Sequence, residues 1–261
     1  MARSGDEPST YGLTLTRGLA ILRSFSDTDN SLSATELSKR TGIPQPTVWR
    51  LCKTLQAEGY LTPDGNSSRF RPGLGLLSLG VSAVSQFSLA QHARQHLIEL
   101  ATQFSVVAGM AMPEGLQMRV IDRHQSPSAL VTYNIHIGST LPVWSSASGW
   151  AYLAGLDAAR RDEIVARIER EQPDAWASVK DDFARAMKQY ERDGVVITSG
   201  IFGGGLTAIG VPIVAAASSA IYALYCSAIS SHLPHDLVEK GLAPRMIEIA
   251  AELRMVLALE R

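Results

Sequence analysis

The sequence predicts an α+β protein with two domains, a small helical one followed by a larger one built on a sheet. Its 261 residues, of which 46% are apolar and 19% charged, suffice for two hydrophobic cores. Strand-like and helical stretches form separate groups in the second part, which favours a mostly antiparallel sheet. The expected boundaries are 1–11 for a polar, disordered arm, 12–73 for the first domain, 74–90 for a linker helix and 91–261 for the second domain.

Local signals predict three helices and a hairpin in the first domain. Apolar residues at helical spacing between Leu13 and Phe25 indicate the first helix. The capping box Ser33–Glu36 begins the second helix, and Pro46 marks the first turn of the third. Strong turn residues at 63–66 then separate two short strands. This order is typical of a winged helix-turn-helix, whose recognition helix enters the major groove of DNA.

Charge also favours DNA as the partner of this domain. Between Lys39 and Arg71 there are six basic and two acidic residues, a local charge of +4 in a chain of net charge −1. Lysine and arginine bind phosphates with release of counterions, and a helix in the major groove reads base edges. The candidate DNA-binding residues are Gln45, Thr47 and Arg50 at or near bases, Lys53 with Arg69 or Arg71 at phosphates, and Pro46 and Trp49 on the same surface. The alternative is an ordinary exposed face of a small helical domain.

These motifs, taken in order, resemble the IclR family of bacterial transcription regulators. The residues that carry the resemblance are Arg17–Leu22, Leu32–Leu37, Gly42–Leu51, Leu55 with Gly59–Leu61, Phe70–Gly73 and Leu76–Gly80. The resemblance implies a cytoplasmic regulator that binds a roughly palindromic double-stranded operator as a homodimer, with dimers pairing again into homotetramers. Pro46 stands where the family commonly has Ser, so the register of the DNA contacts stays open.

The linker is expected to pack against another subunit, because Leu74 to Leu89 is apolar and uncharged. A stretch of 42 residues, 194–235, lacks charged side chains, but glycines, Pro212 and serines interrupt it. Two buried strands are therefore favoured over a membrane helix, and no membrane partner is expected.

The two cysteines lie 174 positions apart, which predicts no disulfide and fits a reducing compartment.

Binding is favoured over catalysis in the second domain. The chain has no G-x-S-x-G elbow, no P-loop and no H-E-x-x-H motif, and no nucleophile is paired with a base. His92 and His96 lie four residues apart on a predicted helix, but no third ligand follows, so no metal is expected. No cofactor is implied.

The resemblance implies that the second domain is a GAF-like effector domain with a ligand pocket. The segment Leu141–Ala151 matches a loop and helix start that lies over the sheet in the family. The amides of Ala147 and Ser148 are expected to hold a carboxylate, because a helix N-terminus offers unpaired N–H groups and a favourable dipole. The apolar lining implied for the pocket is Leu130, Tyr133, Leu141 and Leu206.

Departures from the family pattern narrow the expected ligand. Thr198 and Ala208 stand where family members often have Asp and Cys, and Trp150 stands where Lys is common. With Trp144 and Phe202 near the rim, these changes predict an aromatic or otherwise apolar carboxylate as the ligand. The function expected of the whole chain is a regulator whose operator binding this carboxylate modulates, in control of a catabolic operon. The expected hydroxyl partners are Ser146, Ser148 and Thr198. Two alternatives stay open: a ligand-blind repressor or architectural DNA binder plugged by the two tryptophans, and an enzyme with a DNA-binding appendage.

Overall fold

The computed structural model describes residues 12–26, 29–65, 67–84, 88–128, 135–200, 205–214 and 220–259. They form two units, divided between residues 86 and 87. The first unit contains α1 (Leu13–Arg23), β1 (Leu32–Ser33), α2 (Ala34–Thr41), α3 (Gln45–Ala57), β2 (Leu61–Pro63), β3 (Arg69–Pro72) and α4 (Leu74–Val84). Its three strands pair antiparallel in the order β1-β3-β2.

The predicted caps and turns position the helices of the first unit. Ser33 caps α2 by accepting a hydrogen bond from the Glu36 amide, while the Glu36 carboxylate accepts one from the Ser33 amide at 2.7 Å. Gly42 ends α2 with φ of 69°, a left-handed conformation that glycine adopts without strain. Val48 and Cys52 of α3 are fully buried with Phe70 of β3, so one face of α3 anchors the helix and the other is left for solvent.

The second unit begins with α5 (Ser88–Phe104), and the linker helix expected at 74–90 is shorter, because α4 ends at Val84. The next elements are β4 (Val107–Glu114), β5 (Gln117–Gln125), β6 (Thr140–Pro142), α6 (Ala147–Gly155), α7 (Ala158–Glu171), α8 (Pro173–Ala177) and α9 (Lys180–Asp193). The last are β7 (Val196–Ser199), β8 (Leu206–Val214), β9 (Ile221–Ile229), α10 (His235–Leu237) and α11 (Ala243–Leu259), with a 3-10 turn Ser230–His232 before α10 and a π-helical turn Val238–Leu242 after it. The sequence of residues 129–135 is also typical of a strand, but residues 129–134 lie outside the described residues.

An antiparallel sheet of six strands, in the order β6-β5-β4-β9-β8-β7, organises the second unit. Helices α5 and α11 pack on one face, and α6 packs mainly on β8 and β9 of the other. The predicted α+β class and mostly antiparallel sheet are confirmed. Strands β8 and β9 lie in the uncharged stretch, as expected, and none of the helices in the described ranges is long and apolar enough to cross a bilayer.

Both cysteines are buried, one in each unit. Cys52 lies in the core of the first unit, and Cys226 lies on β9 beneath the helices of the second. Burial disfavours the charged thiolate, so the pKa of Cys52 is raised to about 11, and that of Cys226 is raised further. The two thiols are therefore free and protonated at neutral pH.

Candidate DNA-binding surface and effector cavity

The start of α3 is built so that a proline costs no hydrogen bond. The carbonyl oxygen of Pro44 accepts from the amides of Thr47 and Val48 at 2.9 and 3.0 Å. Pro46 lies in the first turn, where an N–H has no partner within the helix. Opposite the buried side of α3, the side chains of Gln45, Arg50 and Lys53 are exposed and Thr47 is half-buried.

Trp49 joins α3 to the wing, which is the hairpin of β2 and β3, and does not stand free on the surface. Its ring meets Phe70 edge-on at 5.4 Å between centroids, and the Lys53 Nζ lies 5.0 Å from its centroid. The indole is still 38% exposed. Trp49 therefore both positions the helix against β3 and places Lys53 beside an aromatic face, a favourable cation–π arrangement.

The two wing arginines have different surroundings. The Arg69 guanidinium donates to the carbonyl of Ser31 at 2.8 Å and to its hydroxyl at 3.0 Å, and forms an ion pair of 2.9 Å with Glu36. Arg71 is exposed, with one ion pair of 3.4 Å to Asp64. Hydrogen bonds from Ser33 and from Arg69 lower the pKa of Glu36 to about 2. Arg69 thus braces the beginning of α2, whereas Arg71 faces solvent.

A cavity with about 520 Å³ of empty space, part of it open to solvent, lies between the sheet and the beginning of α6. Ser146 caps this helix by accepting from the Gly149 amide at 3.0 Å, which leaves the first two amides, those of Ala147 and Ser148, without helical acceptors. The described residues that line the cavity are Val107, Arg123, Ile135, Leu141, Ser146, Ala147, Ser148, Leu206, Ala208, Tyr225 and Ser227. Arg123 is the one charged side chain among them, so the lining favours an anion.

Glycines make room for this cavity. Arg123 of β5, Gly109 of β4, Tyr225 of β9 and Gly210 of β8 are paired in register across four neighbouring strands. A Cβ on Gly109 would lie 2.5 Å from the Tyr225 hydroxyl oxygen. A Cβ on Gly210 would clash with the carbonyl of Ala147, so its absence lets α6 approach β8. Such close approach is a common reason for glycine within a strand.

Six of the sequence-predicted effector residues meet at this cavity: Leu141, Ser146, Ala147, Ser148, Leu206 and Ala208. Leu130, Tyr133 and Phe202 lie outside the described residues. Sequence reasoning missed Arg123 and Tyr225 as well as Val107, Ile135 and Ser227. Gly109, a lone glycine within an apolar strand pattern, could have indicated that another group approaches the sheet closely at this point.

Trp144, Trp150 and Thr198 are not among the described residues that line the cavity, contrary to the expectation of two tryptophans at its rim and of a hydroxyl partner at Thr198. The Trp150 ring is fully buried on another side of α6, packs edge-on against Phe183 at 5.8 Å, and its Nε1 donates to the carbonyl of Trp144 at 2.8 Å. The Thr198 hydroxyl is buried and donates to the carbonyl of Ala208 at 3.4 Å. Trp150 therefore packs in the core between α6 and α9, against Phe183.

Metal binding receives no support from the described part of the chain. No three His, Cys, Asp or Glu side chains in it cluster around a possible ion. His96, one of the two histidines at helical spacing, instead lies 3.4 Å from a carboxylate oxygen of Glu252 on α11.

Family models match both units. The IclR helix-turn-helix domain matches residues 14–65, and the C-terminal domain of bacterial IclR regulators matches residues 81–253. Among curated proteins, the HTH-type transcriptional regulator TsaQ1/TsaQ2 of Comamonas testosteroni is 26% identical over 92% of this chain and 87% of its own. The p-hydroxybenzoate hydroxylase transcriptional activator of Acinetobacter baylyi is 25% identical over 94% and 91%.

Solved structures agree over nearly the full length. An IclR family transcriptional regulator from Brucella abortus is 30% identical and superposes with a TM-score of 0.79, covering 98% of this chain and 96% of that one. An IclR homologue from Microbacterium hydrocarbonoxydans complexed with 4-hydroxybenzoate has the same fold, with 21% identity, a TM-score of 0.77 and coverage of 94% and 98%. The matched families and relatives are transcriptional regulators, not enzymes. The chain belongs to the IclR family of bacterial transcription regulators.

Proposed function

We propose that this regulator binds its operator through α3 and the wing, and that a small carboxylate in the cavity of the second unit changes the affinity for DNA. The observation that carries the proposal is the cavity at the beginning of α6, where two amides without helical acceptors and one arginine face an otherwise mostly apolar lining. A ligand shifts a conformational equilibrium only by its difference in affinity for the two states. The acid must therefore favour one arrangement of the DNA-binding units.

An aromatic carboxylate is the proposed class of effector. The lining combines aliphatic walls with N–H donors, which suits a flat apolar body with a carboxylate at its edge. Two relatives support this choice: one homologue is complexed with 4-hydroxybenzoate, and another activates the gene for a p-hydroxybenzoate hydroxylase. The control of a catabolic operon is proposed on the same basis.

In the proposed DNA complex, Gln45, Thr47 and Arg50 of α3 read base edges in the major groove. Lys53 and Arg71 contact phosphates, and Pro46 and Trp49 shape the same surface. Of the two wing arginines, Arg71 is preferred because Arg69 is held by Ser31 and Glu36. Two copies of α3 in a homodimer would enter successive major grooves, about 34–36 Å apart.

The test measures DNA binding with and without acids. Operator fragments are enriched from a random library by the full-length protein and labelled for fluorescence anisotropy. We expect aromatic carboxylates to change the Kd for these fragments in a saturable way, and Ser148→Pro, which removes one proposed amide donor, to abolish the change. A Kd for DNA that no acid alters would support a ligand-blind DNA binder instead. That alternative supposed that Trp144 and Trp150 plug the cavity, but neither is among the described residues that line it.

A further inference from the structure

Arg123 and Tyr225 lie on either side of Gly109 on the sheet that floors the cavity, although they are distant in sequence. Gly109 pairs with both residues, one on each neighbouring strand, and contributes no side chain between them. The Tyr225 hydroxyl extends over Gly109, since a Cβ there would be 2.5 Å from its oxygen. The charge of Arg123 also acts on the phenol, where it opposes the rise in pKa that burial causes. The two polar groups therefore share one region of the cavity.

Both groups have hydrogen-bonding capacity that the described protein atoms leave unused. The Tyr225 hydroxyl and the Arg123 Nε are buried without a hydrogen-bond partner in the described residues, and Tyr225 is only 5% exposed. The other end of the Arg123 guanidinium is fixed by Gln125 Oε1 at 2.7 Å. Buried polar groups are nearly always paired, and an orphan at a cavity wall indicates a missing partner.

The missing partner must be an acceptor. Nε of an arginine only donates, and burial keeps the Tyr225 phenol protonated by raising its pKa, so the hydroxyl also has a proton to donate. The beginning of α6, which lines the same cavity, likewise offers only N–H donors from its backbone. The cavity thus presents two sets of donors, one on α6 and one on the sheet.

We infer that Arg123 and Tyr225 form a second polar subsite of the effector cavity, and that the effector is an aromatic acid with a second oxygen acceptor away from its carboxylate, either a hydroxyl or another carboxylate. This inference rests on the proposed function, because it places its ligand in the same cavity. An acid without the second oxygen would leave both donors buried and unpaired, which is the basis of strong discrimination by polar sites. The Arg123–Tyr225 subsite therefore selects acids that carry a second oxygen acceptor, whereas the α6 amides bind the carboxylate of any acid.

The test compares three probes, benzoate, 4-hydroxybenzoate and terephthalate, by isothermal titration calorimetry on the full-length protein. We expect at least one of the two bifunctional acids to bind wild type about tenfold or more tightly than benzoate. In Tyr225→Phe this advantage should fall to within about twofold, while the affinity for benzoate changes little. Arg123→Gln should reduce the same advantage.

Matched variants separate specificity from folding. Tyr222→Phe changes a tyrosine of the same strand that lines a different groove, and should keep the preference of wild type. Arg119→Gln, on the same strand as Arg123 and paired with Glu114, should keep it as well. The thermal midpoint of unliganded Tyr225→Phe should equal or exceed that of wild type, because the lost hydroxyl has no partner among the described residues.

Three results would overturn the inference. Equal binding of all three acids by wild type would refute the second subsite and leave the proposed carboxylate effector standing. A preference for a bifunctional acid over benzoate that survives in both Tyr225→Phe and Arg123→Gln would also refute the second subsite and leave the proposed carboxylate effector standing. Binding of none of the acids would overturn both the inference and the aromatic effector on which it rests.

Discussion

Individual arginines of the first unit divide into those that brace the fold and those that face outward. Arg40 donates to the carbonyl of Ser24 at 2.8 Å and pairs with Asp29 at 2.6 Å, and Arg69 holds Ser31 and Glu36. Arg50 and Arg71 are exposed and do not hold the backbone of another element, and Arg71 forms only the 3.4 Å ion pair with Asp64 among the described residues. The local positive charge predicted from sequence is therefore partly neutralised within the fold, and the outward-facing arginines are the ones expected to meet DNA.

Arg50→Ala should weaken specific DNA binding by about 1–3 kcal/mol, because a base contact made by the arginine fork is lost. Anisotropy titrations on enriched operator fragments and on random DNA measure the effect. Lys53→Ala, a change at a proposed phosphate contact, should weaken both kinds of DNA about equally and reduce the salt dependence. Equal losses for Arg50→Ala on both would reassign that arginine to a phosphate.

Acid should destabilise the first unit through Glu36. Its pKa is about 2 in the folded protein and 4.5 in an unfolded chain, so the stabilisation is full above pH 4.5 and is lost as the pH falls towards 2. Glu36→Gln removes this titration, and the difference in thermal midpoint between wild type and variant, followed by circular dichroism, should shrink over that range. A difference that stays constant from pH 6 to pH 3 would contradict this assignment.

At the scale of elements, α6 depends on two glycines for its place on the sheet. Gly149 lies against the backbone of Val143, and Gly210 of β8 lies against the carbonyl of Ala147. In both cases a Cβ would meet backbone, which cannot move aside as a flexible side chain can. The amides proposed to bind a carboxylate are held by this close packing.

Gly210→Ala should displace the beginning of α6, lowering the thermal midpoint and weakening acid binding by about tenfold or more. Calorimetry with 4-hydroxybenzoate and a thermal melt measure both effects. Gly18→Ala in α1, where a Cβ meets nothing within 4 Å, serves as the control and should preserve acid binding. Unchanged acid affinity in Gly210→Ala would show that the helix start is not the anchor.

Helix α4 presents a row of apolar side chains to solvent. Leu74, Leu77 and Val81 are 80%, 63% and 59% exposed. Apolar patches of this kind commonly mark contacts with other chains, which supports the proposed homodimer.

Leu77→Glu should lower the mass of the assembly measured by light scattering, because it places a charge on the proposed contact face. Met255→Glu changes an equally exposed position on α11 and should leave the mass unchanged. Unchanged mass in Leu77→Glu would exclude this face as the contact.

For the whole molecule, effector and operator must influence each other equally. If an acid changes the Kd for DNA by some factor, saturating DNA must change the Kd for that acid by the same factor. Anisotropy titrations give the first factor and calorimetry on the DNA complex gives the second. Unequal factors would mean that the acid acts at more than one site or alters the assembly state.

Features that depend on a few adjacent residues could be predicted from the sequence. The capping box at Ser33 and the proline in the first turn of α3 follow from a few adjacent residues. The helix start at Ala147 is implied by the family resemblance of the segment Leu141–Ala151. Arg123 and Tyr225 escaped prediction because only strand pairing through Gly109 brings them together. The direction of the Trp150 ring likewise depends on packing against Phe183, which no local pattern reveals.

The two buried thiols have a practical consequence for following motion in this regulator. Protonated, inaccessible sulfur reacts slowly with maleimides, so the native chain carries almost no labelling background. Thr62→Cys, at an exposed position of the wing, would then take up one spin label or fluorophore per chain. In the proposed homodimer, the separation between two such labels reports how far apart the DNA-reading units lie, and adding an acid shows directly whether that separation changes.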